Sequence, residues 1–143
     1  MDIRKISDSY FVSPQISPDD VAEIARAGFK TLICNRPDGE IPPEFHCAEV
    51  EREAKAAGLT FKSHPFASQA ITLEIVEQQA KLLAESEAPV LAYCATGTRC
   101  SVVWSFAQAG ELSADEIIQA TTNAGYQLEG LRPQIEALAR GKT

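Results

Sequence analysis

The chain has no run of apolar residues near the roughly 18 needed to cross a bilayer. Its opening stretch, Met1-Asp2-Ile3-Arg4-Lys5-Ile6-Ser7-Asp8, holds no apolar core of signal-peptide length. A cytoplasmic protein with no membrane partner is expected. Positive charge is short as well: 13 Lys and Arg face 20 Asp and Glu, a formal net charge of −7. The overall field therefore gives no reason to bind nucleic acid. The four cysteines, Cys34, Cys47, Cys94 and Cys100, form no CxxC pair, and His46-Cys47 is an isolated neighbour pair without zinc-site spacing. No metal and no cofactor are expected, and a cytoplasmic compartment argues against structural disulfides. Internal repeats and low-complexity tracts are absent too, and 143 residues suit one domain, 1–143, with a core that needs no staple.

What is present alternates between two periodicities. Ile3–Ile6 and Tyr10–Val12 read as short strands around Ser7-Asp8-Ser9. Ser17-Pro18-Asp19-Asp20 marks a helix start, with Gly28 as its stop. Phe29–Cys34 reads as a strand into the turn cluster Asn35–Glu40, Glu44–Ala57 as a helix closed by Gly58, and Leu59–His64 as a further strand. Thr72 caps a helix carrying Ile75, Val76, Ala80, Leu82 and Leu83, which leads into the apolar strand Val90–Tyr93. Three helices follow: one from the end of the next loop to Gly110, one opened by the capping box Ser113–Glu116, and one over Leu131–Arg140. This order predicts an α/β fold of three layers, a mostly parallel sheet flanked by helices.

The most informative stretch is Cys94-Ala95-Thr96-Gly97-Thr98-Arg99, set between the Val90–Tyr93 strand and the helix after it. A tight strand-to-helix loop turns successive backbone N–H groups into one concavity, and the helix dipole adds positive potential there. Cys94 opens this anion-binding loop and Arg99 closes it, so a thiol and an obligate cation share one small space. N–H groups, dipole and guanidinium all favour the thiolate, which is the nucleophilic form. Gly97 permits a positive φ or a close approach, and Thr96 and Thr98 supply hydroxyls. The expected partner is a small anionic substrate that Arg99 clamps.

Neighbouring candidates depend on topology. If the strands around Thr31 and Val90 are parallel neighbours, the Asn35–Glu40 loop lies beside Cys94 and brings Arg36 and Asp38 to the site, although Pro37-Asp38-Gly39 is a good turn in its own right. His64 ends a strand on the same edge and is a candidate acid, base or anion ligand, or else a hydrogen-bonded strand end. Cys100 could resolve an oxidised Cys94 or simply pack in the core. Ser101 could hydrogen-bond the Cys94 sulfur or cap a free N–H.

These motifs resemble the beta-lactamase-hydrolase-like, phosphatase-like family, whose members are also classed as sulfur transferases. The similarity rests on Ser13–Asp20, Ala27–Thr31, Asn35–Glu40 and Leu91–Trp104, in that order. It implies a dual-specificity-phosphatase-like fold, with Cys94 as nucleophile and Arg99 as anion ligand. The chain departs from the phosphatase pattern in three places. Four residues rather than five separate Cys94 from Arg99, Tyr93 stands where a His precedes the nucleophile, and Pro65–Ile71, where the general acid is expected, holds no carboxylate. A shorter loop is the size that rhodanese-like sulfurtransferases use. Losing a general acid costs on the order of 10²–10⁴ in rate for ester cleavage, whereas sulfite or a thiolate departs without a proton. The leading expectation is therefore a sulfurtransferase that takes sulfane sulfur onto Cys94 from thiosulfate or a persulfide. The alternatives are a phosphohydrolase acting on phosphate esters, with Asp38 as a displaced acid, and a non-catalytic anion or redox sensor.

Overall fold

The computed structural model describes residues 1–142, so Thr143, the last residue of the expected domain, lies outside the described residues. Five strands form one sheet: β1 (Arg4–Lys5), β2 (Tyr10–Ser13), β3 (Thr31–Cys34), β4 (Thr60–Ser63) and β5 (Val90–Tyr93), in the spatial order β1-β2-β5-β3-β4. Only the β1–β2 pair is antiparallel; β2–β5, β5–β3 and β3–β4 run parallel. Every residue of β3 and β5 is buried, which is why Thr-Leu-Ile-Cys and Val-Leu-Ala-Tyr read as continuous apolar runs without alternation.

Helices cover both faces. The short α1 (Val21–Arg26) and α2 (Cys47–Ala56) place Val21, Ile24, Val50 and Ala54 against Leu32, Cys34, Leu91 and Tyr93 of the sheet. On the other face, Cys100 and Trp104 of α4 (Thr98–Ala107), Ile117 and Ile118 of α5 (Ala114–Asn123) and Ile135 of α6 (Arg132–Gly141) meet Ile33 and Ala92. Between β4 and β5 runs α3 (Leu73–Glu85), whose Val76 packs with Phe66 against Val103 and Ala107 of α4. Leu32 and Leu91 thus face α1 and α2 while Ile33 and Ala92 face α4, as the two-residue period of a strand requires. This is the expected three-layer α/β fold.

The caps expected from sequence are formed: Thr72 Oγ1 accepts the Ile75 N–H at 3.2 Å, and Ser113 and Glu116 bond reciprocally at 3.0 and 3.1 Å. Two starts differ. The helix expected from Glu44 begins only at Cys47, after a separate 3-10 turn at Pro43–Phe45 and an extended His46. Its first free amide, Cys47 N–H, is taken by Asp38 Oδ1 at 2.8 Å, while His46 Nε2 lies 3.1 Å from the Ile41 carbonyl oxygen. Similarly, Pro18–Asp20 forms a 3-10 turn before α1.

Candidate active site

The register pairs Thr31 with Val90 and Cys34 with Tyr93, and the Asn35 N–H donates to the Tyr93 carbonyl at 2.9 Å. The loops after β3 and β5 therefore leave the sheet side by side, at the carboxyl end where parallel sheets open.

The loop from Cys94 to Arg99 closes on its own sulfur. Gly97, with φ of 91°, is the N-cap of α4, and its N–H points back to Cys94 Sγ at 3.1 Å. A Cβ at Gly97 would overlap the Tyr126 hydroxyl, which donates to the Thr96 carbonyl at 3.2 Å, so both the backbone angle and the space require glycine. Thr96 Oγ1 receives the Thr98 N–H at 3.3 Å and donates to Thr98 Oγ1 at 2.9 Å. From the flank, the Gln15 N–H reaches the Ala95 carbonyl and the Cys94 N–H reaches that of Ser13, both at 3.4 Å.

The surroundings favour the thiolate. The Cys94 pKa is pulled down to about 5, chiefly by the neighbouring Cys100 thiol and then by the backbone N–H groups of Cys100, Thr96 and Gly97, against an opposing effect of burial. Cys100 itself is fully buried, and burial together with the adjacent Cys94 pushes it well above the ordinary thiol value, so it stays a protonated donor.

Arg99 is buried, and both of its terminal nitrogens are hydrogen-bonded. Nη1 donates to Glu40 Oε2 at 3.0 Å and to the Phe66 carbonyl at 3.0 Å, and Nη2 donates to Glu40 Oε1 at 2.7 Å. Glu40 also meets Arg36 Nε at 3.2 Å, and Arg36 Nη1 reaches Gln15 Oε1 at 3.3 Å. Arg99 first, with a smaller effect of Arg36, holds the Glu40 carboxyl below the ordinary glutamate value. Glu40 is therefore held as the anion that Arg99 pairs with. Above the loop opens a cavity of about 450 Å³, lined among others by Ser68, Ile71, Thr96, Thr98, Arg99 and Leu131. Cys94 lies beneath that surface, completely shielded from solvent.

The other expected residues divide. Arg36 joins the site through Glu40, as its loop position suggested. Asp38 does not: its carboxylate caps the α2 start at Cys47, which answers to the turn reading rather than to a displaced acid. His64 faces α3 instead, with Nδ1 2.6 Å from Gln79 Oε1 and Nε2 3.0 Å from Gln78 Oε1. It is the hydrogen-bonded strand end. Ser101 takes neither expected role, because its hydroxyl donates to the Gly97 carbonyl at 2.8 Å. Glu40 was missed as a site residue; its place at the end of the loop beside Cys94 was the available signal. The Pro65–Ile71 segment does form a wall of the cavity, through Ser68 and Ile71, and brings no carboxylate to it.

A mostly parallel sheet with a tight Cys94-to-Arg99 loop at the β5–α4 junction defines a fold of the cysteine-phosphatase type. A candidate phosphatase from Neisseria meningitidis superposes on it with a TM-score of 0.85 and 39% identity, covering 96% of this chain and 99% of that one. The core catalytic domain of a PP-IP phosphatase from S. cerevisiae has the same fold, with a TM-score of 0.67 at 13% identity over 99% of this chain and 93% of that one. Residues 2–111 match the family described as beta-lactamase hydrolase-like protein, phosphatase-like domain, and the chain belongs to it. Beta-lactamase hydrolase-like proteins from Xylella fastidiosa and Agrobacterium fabrum are 29% and 28% identical over 130 and 126 residues, or 90% and 87% of this chain. The chain spans only 30% and 29% of their lengths.

Proposed function

We propose that this chain is a cysteine-dependent phosphohydrolase restricted to substrates whose leaving group departs without a proton. The observation that carries this reading is the Cys94 sulfur, 3.1 Å from the Gly97 N–H at the start of α4 with Arg99 at the other end of the same loop, in surroundings that lower its pKa. Family and fold both favour phosphoryl over other transfers. In this reaction the substrate's phosphoryl oxygens displace Glu40 from Arg99 and take hydrogen bonds from the loop amides. The thiolate then attacks phosphorus, the P–O bond to the leaving group breaks, and water later hydrolyses the phosphocysteine. With Glu40 ionised on Arg99 and no carboxylate among the described residues that line the cavity, the leaving group must be weakly basic, such as a nitrophenolate or the phosphate of an anhydride.

Sulfur transfer is the second reading, favoured by the four-residue spacing and the absence of a proton donor. Here Cys94 attacks the outer sulfur of thiosulfate, sulfite leaves, and the resulting persulfide sulfur passes to cyanide or a thiol. A side-by-side assay separates the two. Turnover of para-nitrophenyl phosphate that disappears in Cys94→Ser, with no thiocyanate from thiosulfate and cyanide, supports hydrolysis. The opposite pattern replaces it with sulfur transfer.

A further inference from the structure

Away from the loop, on the α2 face of the sheet, a second pair of thiols has no part in the chemistry above. Cys34 ends β3 and Cys47 opens α2, and their sulfur atoms lie 2.8 Å apart. Cys34 Sγ also reaches the Arg36 carbonyl at 3.3 Å. Tyr93, paired with Cys34 across the sheet, has the one buried side-chain oxygen without a hydrogen-bond partner among the described residues. The Cys47 S–H donates to the Cys34 sulfur, which lowers Cys34 from the ordinary thiol value and raises Cys47. Cys34 is buried, while Cys47 is half-exposed and gives small reagents a route to the pair.

We infer that Cys34 and Cys47 form a reversible disulfide that pins the loop between them over Arg99. With a peroxide as oxidant, the S–S bond forms while two S–H bonds and the O–O bond break. The thiols give up two electrons and two protons, and the peroxide leaves as water. The bridged segment, residues 35–46, carries Arg36 and Glu40, and its Asp38 carboxylate already accepts the Cys47 amide. Closing the ring restricts the motions by which Glu40 leaves Arg99. The disulfide does not depend on what Cys94 acts upon.

The test treats the reduced chain, and separately Cys94→Ser, with hydrogen peroxide. Remaining thiols are then alkylated, and unreduced digests are mapped by mass spectrometry. The Cys34 peptide should appear joined to the Cys47 peptide, about 2 Da below their sum and released by dithiothreitol. Amide hydrogen exchange over residues 36–46 should slow by about tenfold in the oxidised form. Free, alkylated Cys34 and Cys47 after peroxide treatment, or Cys34 joined to another cysteine, overturns the pairing. Unchanged exchange in the bridged protein overturns the pinning. Because the linkage is read on the natural sequence as well as on Cys94→Ser, the answer does not require that variant to fold.

Discussion

Removing one donor from the Cys94 sulfur should move its titration by an amount that can be worked out beforehand. The shift from the ordinary thiol value of 9.0 to about 5 represents roughly 5 kcal/mol of preference for the thiolate. The Cys100 thiol is its largest source. A hydrogen bond to a charged group contributes about 1.5–3 kcal/mol, so Cys100→Ala should raise the Cys94 midpoint by roughly one to two pH units. Cys100→Ser, which keeps a donor, should leave it closer to the natural value. The assay is the rate of iodoacetamide labelling at Cys94 against pH, read by peptide mass so that the other cysteines do not interfere. Shielding of Cys94 slows labelling at every pH, so the midpoint of the curve still reports its ionisation. Stability follows with a definite sign: a depressed folded pKa stabilises above the unfolded value, and this contribution is lost as pH falls toward 5. The melting temperature of the natural chain relative to Cys94→Ser should therefore rise from pH 5 toward pH 9. A natural midpoint above 8, or no response to Cys100→Ala, refutes the reasoning.

Glu40→Gln keeps the shape of the Arg99 partner and removes its charge. Inorganic phosphate should then bind about two- to fivefold more tightly by calorimetry, a modest gain because the Glu40 side chain is partly solvated; weaker binding would mean that Glu40 positions Arg99 rather than competing for it. Gly97→Ala forces a side chain into a φ of 91° against the Tyr126 hydroxyl and should destabilise by about 1–3 kcal/mol in urea unfolding, with loss of the low Cys94 midpoint. Asn35 and Gln79 bond reciprocally at 3.0 and 3.2 Å in the core, and Asn35 Nδ2 also reaches the His64 carbonyl at 2.8 Å. Asn35→Ala strands those groups and should lower the melting temperature by roughly 5–10 °C.

The Cys94–Arg99 loop was legible as a strand-to-helix turn because its signals are local: an apolar strand, a cysteine, a glycine at the turn and an arginine at the helix start all lie within ten residues. The Asn35–Glu40 loop was placed beside it from strand adjacency alone, and the Thr31–Val90 register bears that out. Which side chain of that loop would reach Arg99 was not legible. Asp38 and Glu40 are both acids in one turn, and only the folding of Asp38 onto the Cys47 amide leaves Glu40 for Arg99. The partners of His64 and Ser101 were not legible for a related reason. Each has the right position along the chain, but its partner is set by the neighbouring helix: Gln78 and Gln79 for His64, and the Gly97 carbonyl one turn back for Ser101. The expected leading activity, sulfur transfer, drew on the short loop and on the absence of a carboxylate in Pro65–Ile71, both local features; the family match over residues 2–111 and the fold weigh toward phosphoryl transfer.

The most direct test looks for the bond itself. The chain is mixed with para-nitrophenyl phosphate, quenched in acid within the first turnovers and measured by intact and peptide mass. A gain of about 80 Da on Cys94, absent from Cys94→Ser, is the expected phosphocysteine. An unmodified Cys94 while nitrophenol is released, or phosphate found on any other residue, contradicts the assignment of this sulfur as the nucleophile.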